Sequence, residues 1–166
     1  SADSHVVEPD DLYVKALGHK YGDKLPHMVE SGPGGKVPHL YSGHEYLPMI
    51  GLFDVGNETQ EKLKRANKDP ALRLECLDQD GIYAEVMAPT TLMLTMRVPN
   101  DDLVRDCCGV FNAWLADYCS QAPKRLYGIA AVHMADVSLA VKELDRVIKR
   151  GMRAVRNLIP FRRRHF

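Results

Sequence analysis

The stretch that decides the fold is Asp69–Val86, which reads DPALRLECLDQDGIYAEV. Asp69 followed by Pro70 predicts the start of a helix, because aspartate caps the first free N–H groups and proline fits the first helical position. Apolar residues at helical spacing continue up to Gly81, and a glycine commonly ends a helix. Residues 82–87 then form an apolar run, which is typical of a strand buried on both faces. The stretch therefore indicates a helix followed directly by a strand of a parallel sheet.

The same order repeats towards the carboxyl terminus. Asn100 or Asp101 and then Asp136 are the predicted N-caps of two further helices, and Gly151 ends the second of them. The predicted elements are a helix to about Ser120, a strand at 126–132, a helix after Asp136 and a strand at 152–159. This alternation of helices with apolar strands predicts an α/β fold with a parallel sheet.

Ahead of this repeat, the segment Ser1–Val7 predicts a short first strand, and Leu12–Leu17 predicts a helical turn closed by Gly18. Four strands in this pattern fit an open doubly wound sheet, and they equally fit half of a (β/α)8 barrel. A Gly-rich phosphate loop would favour the open sheet, but none follows any of these strands. Periodicity alone leaves both architectures open.

Residues 26–50 differ in composition and interrupt the pattern. His27–Val29 and His39–Tyr41 flank the turn-rich stretch Ser31–Gly35, which predicts a β-hairpin excursion from the main body. Four histidines lie in or near this segment, but their spacing fits no tight ligand set, so we interpret them as surface or hairpin residues: His19, His27, His39 and His44.

Composition excludes several classes of partner. The chain has 166 residues with equal numbers of acidic and basic side chains, so its formal net charge is zero and gives no electrostatic reason to expect nucleic acid or a membrane. No apolar run approaches the length of a membrane helix, and no signal peptide is visible. The cysteines are interpreted as reduced, mostly buried thiols, consistent with a cytoplasmic location. The alternative is a thiolate metal site, but Cys107 and Cys108 are the one close pair of cysteines and no second pair supports such a site. The four cysteines are Cys76, Cys107, Cys108 and Cys119.

Asp3 and His5 are the first candidate ligands. Alternate residues of a strand point to the same side, so one carboxylate oxygen and one imidazole are expected to project together from the first strand. Such a pair is half of a site for Zn²⁺ or a similar divalent ion. The alternative is a turn-forming aspartate next to a hydrogen-bonded histidine.

Two motifs resemble the amidohydrolase-related family that includes aminocarboxymuconate-semialdehyde decarboxylase and the aromatic-acid decarboxylases. Residues 3–12, DSHVVEPDDL, are similar to the opening of that family, and Asp69–Val86 is similar to its second-strand region. Residues 112–116 and 123–130 resemble its next helix and strand. The match runs in order from Asp3 to about Phe166.

The resemblance implies that residues 1–166 form a single, incomplete (β/α)8 barrel domain of the TIM type, comprising about the first four strands. It implies one divalent metal, with zinc expected first and manganese as a possibility, held in part by Asp3 and His5. The implied enzyme is a metal-dependent hydrolase or non-oxidative decarboxylase that acts on a small carboxylate or cyclic substrate, and it is expected to be a homo-oligomer. The family takes further ligands from strands later than the fourth. The alternative is therefore a catalytically inactive barrel fragment that self-associates through open strand edges or needs the missing half.

Several other side chains allow two interpretations each. Glu8 is either a candidate for supporting the metal ligands by hydrogen bonds or a turn residue, and Arg97 is a candidate for binding a substrate carboxylate or a solvated loop residue. His133 is a pocket-facing candidate ligand or a residue near a helix cap. Glu85 lies inside an apolar strand, so we expect it to pair with an arginine such as Arg73 or Arg153. His165, in the basic segment 162–166, is interpreted as part of an ordinary loop.

Overall fold

Four parallel strands form the main sheet of this computed structural model, which describes residues 1–29, 39–42, 45–48, 62 and 64–158. The described elements are β1 (Ser4–Val6), α1 (Leu12–Tyr21), a 3-10 turn (Gly22–Lys24), β2 (His27–Val29), β3 (His39–Ser42), β4 (Glu45–Pro48), α2 (Pro70–Gln79), β5 (Glu85–Pro89), a 3-10 helix (Thr91–Arg97), α3 (Asp101–Ser120), β6 (Leu126–His133), α4 (Val137–Lys149) and β7 (Ala154–Leu158). The strand order in the main sheet is β1-β5-β6-β7, and a helix precedes each of the last three strands. The predicted α/β class is confirmed.

The register of the sheet is staggered. The first half of β6 pairs with β5, from Glu85 opposite Leu126 to Met87 opposite Gly128. The second half of β6 pairs with β7, from residues 129 to 133. Each strand is thus displaced along its neighbour, as it must be where a sheet curls towards a barrel.

The predicted helix starts are confirmed. The Asp69 carboxylate accepts hydrogen bonds from the N–H groups of Ala71 and Leu72, at 3.0 and 3.3 Å. Asn100 and Asp136 each accept one bond of 3.0 Å from the N–H three residues later. These short side chains satisfy donors that the first helical turn leaves free.

Two predicted boundaries are wrong, the end of α1 and the start of β5. Helix α1 does not close at Gly18 but continues to Tyr21 and ends at Gly22, whose φ is +56°. Contacts with another helix stabilise the extra turn, because the Lys20 amine and the Tyr21 hydroxyl both donate hydrogen bonds to Asp106 of α3, at 2.6 and 2.8 Å. Long-range contacts of this kind are not visible in a local pattern.

Strand β5 begins at Glu85 rather than at Ile82. The N–H of Ile82 bonds back to the Leu77 carbonyl at 2.8 Å and closes the end of α2. The Arg125 side chain takes the carbonyls of Ile82 and Tyr83, at 3.3 and 2.7 Å. Residues 82–84 therefore join the end of α2 to β5 instead of extending the sheet.

Residues 26–50 contain a small antiparallel sheet, as the hairpin prediction requires. Strand β2 pairs with β3 with His27 opposite Tyr41, and β3 pairs with β4. The third strand, β4, was not predicted. The expected turn at Ser31–Gly35 lies outside the described residues, as does His44.

The two faces of the main sheet have different surroundings. A Cβ added at Gly128 would lie 2.6 Å from Leu115 of α3 and 2.9 Å from Met152, so this position faces the helices and leaves no space for a side chain. By strand alternation, its neighbours Tyr127 and Ile129 point to the opposite side, which we call the inner face. The register extends the inner face across the sheet to His5, Val86, Ala88, Tyr127, Ile129, Ala131, His133, Ala154, Arg156 and Leu158.

The hydrophobic core lies between the outer face and the helices. Helix α3 contributes most of it, through buried residues such as Phe111 and Leu115 that meet Met87 and Ala130 of the strands. Within the described ranges, no helix has the length and apolar character needed to cross a membrane.

Candidate functional site

His5 lies in the middle of β1 and belongs to the inner face. It pairs with Ala88 of β5. By the strand register, the residues side by side with this pair on the next strands are Ile129 of β6 and Ala154 of β7, and we call these four residues the row that contains His5. The His5 side chain is exposed and stands among small or apolar neighbours on the same face. Its ring is therefore accessible on the inner face, the side of the sheet that points away from the described helices.

The hydrogen bonds of His5 fix its tautomer. Its Nδ1 atom lies 3.2 Å from the carbonyl oxygen of Pro89 and 3.4 Å from the hydroxyl of Thr90. A carbonyl only accepts, so Nδ1 carries the proton and donates it. Nε2 then keeps its lone pair, and no described residue bonds to it. A metal-binding histidine is commonly oriented by this type of Nδ1–H···O=C contact.

Asp3 precedes β1 by one residue and is also exposed. It lies in a bend outside the strand, so strand alternation does not set the direction of its side chain, and a common side with His5 stays a prediction from the sequence. Together they offer one oxygen and one nitrogen ligand. Within the described residues, no group of three or more histidine, cysteine, aspartate or glutamate side chains is placed to hold a metal ion.

A buried ion pair anchors β1 beside β5. Glu85 is 2% exposed and receives two hydrogen bonds from Arg73 of α2, from Nε at 2.6 Å and from the terminal nitrogen at 3.0 Å. The same guanidinium donates to the carbonyl of His5 at 3.1 Å and to Asn67 at 3.1 Å. The expected Glu85–Arg73 pairing is confirmed. The pair therefore positions the backbone that carries the candidate ligand.

Electrostatics at this pair favour the ionised arginine. Burial by itself would lower the pKa of Arg73, but its hydrogen bonds to Glu85 and the charge of that carboxylate raise the pKa above its ordinary value. Arg73 consequently stays charged at all ordinary pH values, and the pair acts as a permanent link between α2 and the sheet.

Glu8 follows β1 and is buried, with 2% of its surface exposed. Its two carboxylate oxygens accept from the backbone N–H groups of Thr91 and Leu92, both at 2.8 Å, and the Tyr13 hydroxyl lies 3.4 Å away. Burial raises the pKa of Glu8 above its ordinary value, while the hydrogen bonds from Leu92 and Thr91 lower it in part. Glu8 therefore clamps the first turn of the 3-10 helix that follows Thr90, the residue beside the His5 ring.

His133 ends β6 and is packed against the start of α3. Its side chain is 3% exposed, and its Nε2 atom lies 3.1 Å from the Asp101 carboxylate. Its Nδ1 atom is buried and finds no hydrogen-bond partner among the described residues. In the register of β6 and β7, His133 is four residues beyond the row that contains His5. The structure thus does not bring these two histidines together.

The remaining candidates are placed as follows. The backbone of Arg97 ends the 3-10 helix, but its side chain lies outside the described residues, as does all of His165. Cys107 and Cys108 are buried, and burial raises the pKa of the Cys107 thiol to about 12. A thiol with so high a pKa stays protonated at neutral pH, which disfavours a thiolate metal site there.

Sequence reasoning missed two inner-face features. Thr90 contacts the His5 ring, but a threonine after a strand carries no signal of its own. Arg156 lies in β7 opposite Ala131 and is exposed on the inner face. The sequence alone does not show on which face of the sheet Arg156 lies. That assignment requires the register of β6 and β7.

No family model matches the sequence. Several solved structures resemble it. An amidohydrolase from Mycobacterium avium subsp. paratuberculosis K-10 has a TM-score of 0.68 and 19% identity over 92% of this chain and 46% of its own. The 5-carboxyvanillate decarboxylase of Novosphingobium aromaticivorans DSM 12444, solved with manganese and a nitrobenzoic acid ligand, has a TM-score of 0.58 and 17% identity over 93% of this chain and 40% of its own.

A dihydroxybenzoic acid decarboxylase from Polaromonas sp. JS666, with manganese and 2-nitroresorcinol bound, gives a TM-score of 0.56 and 17% identity, covering 93% of this chain and 36% of its own. The chain thus spans less than half the length of these similar structures. The predicted resemblance is confirmed at the level of fold: the described sheet and helices correspond to part of the TIM-type barrel of amidohydrolase and decarboxylase structures.

Proposed function

We propose that this chain contributes to a metal-dependent hydrolase or non-oxidative decarboxylase that acts on a small carboxylate or cyclic substrate. In this proposal residues 1–166 belong to one barrel-type domain, with residues 26–50 as an excursion. The similarity to amidohydrolase and decarboxylase structures supports this class of reaction. Carboxyl ends of barrel strands are where such folds place their chemistry.

The observation that carries the proposal is the state of the His5 ring. Its Nδ1–H is directed at the Pro89 carbonyl, and its Nε2 lone pair is left on an exposed side chain. Asp3, two residues before His5, is the proposed oxygen ligand. This donor set fits Zn²⁺ or Mn²⁺, which accept imidazole and carboxylate ligands. Two protein donors are fewer than the three or four that zinc sites usually take, so a complete site would need further protein ligands from outside the described residues.

A divalent ion held by Asp3 and His5 would supply Lewis acidity for polarising a substrate carbonyl or activating water. The protein's own residues have supporting roles. Arg73 holds the His5 backbone through its carbonyl, and the Pro89 carbonyl orients the ring. Glu8 fixes the segment after β5 and is proposed to act behind the ligands. Arg97 and His133 are proposed to contact the substrate. We also propose a cytoplasmic location, on the basis of the unpaired thiols.

A second candidate is a protein that acts by association. Among the described residues, β1 and β7 each have a strand neighbour on one side only. Helix α4 also exposes an apolar stripe at Val137, Val141 and Ile148, which are 66%, 51% and 57% exposed. Open edges and apolar stripes favour self-association, and a homo-oligomer is compatible with either candidate. A monomeric mass in solution would remove this second candidate.

His5→Ala tests the proposed function. We expect this variant to bind Mn²⁺ or Zn²⁺ at least about 100-fold more weakly, because it removes a ligand without an alternative nearby. Isothermal titration with each metal measures the affinity, and release of CO2 from a panel of hydroxybenzoates reports on activity. The control is His19→Ala, which removes an exposed histidine from α1.

The control should bind metal as the unmodified protein does. Equal metal affinity in His5→Ala and the unmodified protein would refute the assignment of His5. Metal binding that depends on His5, without turnover of any acid in the panel, would retain the site and reject decarboxylation of these substrates.

A further inference from the structure

A cavity of about 470 Å³ lies at the amino end of the main sheet, and we call it the amino-end cavity. It is bounded by the last turn of α3, by residues 126–128 at the start of β6 and by residues 150–154, which connect α4 to β7. Its volume is in the range of small-molecule sites. Neither Asp3 nor His5 lines it. Barrel enzymes place their chemistry at the carboxyl ends of the strands, so the amino-end cavity is separate from the candidate metal site.

The stagger of the sheet accounts for this space. Residues 126–128 pair with β5, but β7 begins only at Ala154, which lies opposite Ile129. The start of β6 therefore has no described strand neighbour on the side of β7. A side chain cannot fill the space from position 128, because a Cβ added to Gly128 would lie 2.6 Å from Leu115 and 2.9 Å from Met152.

The walls of the amino-end cavity are mainly apolar. Ala116, Leu126 and Met152 all line it and are almost fully buried, with exposed fractions of 6%, 1% and 8%. Cys119 is a further wall residue, and burial raises the pKa of its thiol to about 12. A thiol with this pKa stays protonated at neutral pH and behaves as a small apolar group. These walls therefore favour a ligand with a hydrocarbon body.

Two arginines form the mouth of the amino-end cavity. Arg150 and Arg153 both line it, and both are exposed. Arg150 is paired with Asp117 at 2.6 Å, whereas Arg153 makes no ion pair and no side-chain hydrogen bond with any described residue. An exposed arginine keeps its hydration, so the lack of a partner alone indicates no ligand. Arg153 differs from Arg156 because it stands beside an apolar cavity.

The two chain segments that border the amino-end cavity are basic. Residues 123–128 and 149–154 contain five basic side chains and no acidic one, although the whole chain has no formal net charge. Aspartates compensate two of the five, Arg125 and Arg150. The other three have no ion-pair partner among the described residues, and they are Lys124, Lys149 and Arg153. The local excess of positive charge favours an anion at the mouth.

We propose that the amino-end cavity binds an aliphatic monocarboxylate, with its hydrocarbon chain against the apolar walls and its carboxylate at Arg153. One negative charge matches one guanidinium without a partner, since Asp117 already compensates Arg150. A flexible chain suits walls that include the adaptable side chain of Met152. The site goes beyond the proposed function and needs no metal.

Octanoate and 1-octanol are matched probes, because they have the same chain length and differ in charge. Calorimetry measures the binding of each probe with and without Mn²⁺. Arg153→Gln removes the proposed carboxylate contact. Its control is Arg156→Gln, because Arg156 is an exposed arginine that does not line the cavity.

A second pair of variants tests the location. Ser120→Trp places a large side chain on an exposed residue that lines the cavity. Its control is Ser138→Trp, which makes the same change at an exposed serine of α4 outside the cavity. Both positions are on the surface, so both variants should fold, and circular dichroism checks this.

We expect octanoate to bind at least about 10-fold more tightly than octanol, the range for a charge-assisted contact. Arg153→Gln should remove this difference and leave octanol binding unchanged. Ser120→Trp should weaken both probes by about 10-fold or more, because the indole occupies the space of the chain. The two control variants should bind both probes as the unmodified protein does, and Mn²⁺ should have no effect.

Equal octanoate affinity in Arg153→Gln and the unmodified protein would overturn the inference, as would octanol binding as tight as octanoate binding. Unchanged octanoate binding in Ser120→Trp would show that the probe binds elsewhere and would also overturn it. So would the absence of octanoate binding at millimolar concentration, or a dimer that octanoate does not affect and that occupies the cavity with a second copy. Because the measurement is made without metal as well, failure of the metal site leaves this test intact.

Discussion

Arg73→Met is expected to destabilise the protein by about 3–5 kcal/mol, which is the usual cost of removing one partner from a buried ion pair. Glu85 is 2% exposed, and its two oxygens take their hydrogen bonds from Arg73. Methionine keeps the volume of the stem but leaves the carboxylate buried without a cation. It also removes the donor to the His5 carbonyl. Urea unfolding followed by circular dichroism measures the loss.

The control for this change is Arg150→Met. Arg150 pairs with Asp117 on the surface, where the two side chains are 36% and 74% exposed, so its loss should cost less than about 1 kcal/mol. The double variant Arg73→Met with Glu85→Leu should be more stable than Arg73→Met alone, since it removes the unpaired charge as well. If Arg73→Met were no more destabilising than Arg150→Met, the pair would not anchor β1 to β5.

Asn112→Ala is expected to lower the free energy of unfolding by about 2–4 kcal/mol. Asn112 is fully buried on α3, and its amide donates to the Ala131 carbonyl at 2.8 Å and accepts from the Ala131 N–H at 2.7 Å. The β5–β6 pairing ends at Gly128, so this side chain replaces a strand neighbour for the β6 backbone. Alanine would leave both backbone groups without a partner, and each buried unsatisfied group costs about 1–3 kcal/mol.

Asn100→Ala is the matched control for Asn112. It makes the same change at the N-cap of the same helix, where one capping bond from the Leu103 N–H is lost, at a cost of about 1 kcal/mol. The difference between the two variants isolates the role of Asn112 in the sheet. A smaller effect for Asn112→Ala than for Asn100→Ala would show that water replaces the amide at Ala131. Thermal unfolding with matched buffers is sufficient to rank them.

Local chemistry made much of the fold predictable. The caps at Asp69, Asn100 and Asp136 act within three residues of themselves, and the apolar strands need only their own composition to be recognised. Features decided by distant residues were not predictable in this way. The extension of α1 depends on Asp106, and the late start of β5 depends on Arg125, both of which are far along the chain.

The candidate site also has some features set by neighbouring residues and others set by distant ones. The pairing of Asp3 with His5 as candidate ligands was predictable from three consecutive residues. An ion-pair partner for Glu85 was predictable because a carboxylate in an apolar strand needs one. The tautomer of His5 was not readable, since it depends on the Pro89 carbonyl, 84 residues away. Arg156 was not assigned to the inner face because that assignment follows only from the staggered register.

Asp3 and His5 are proposed to provide part of a divalent metal site. Elemental analysis of purified, dialysed protein, with its intact mass measured on the same sample, tests this proposal. We expect about one tightly held manganese or zinc ion per chain, and its loss in His5→Ala. Protein that holds no metal after incubation with either ion and dialysis would refute the site.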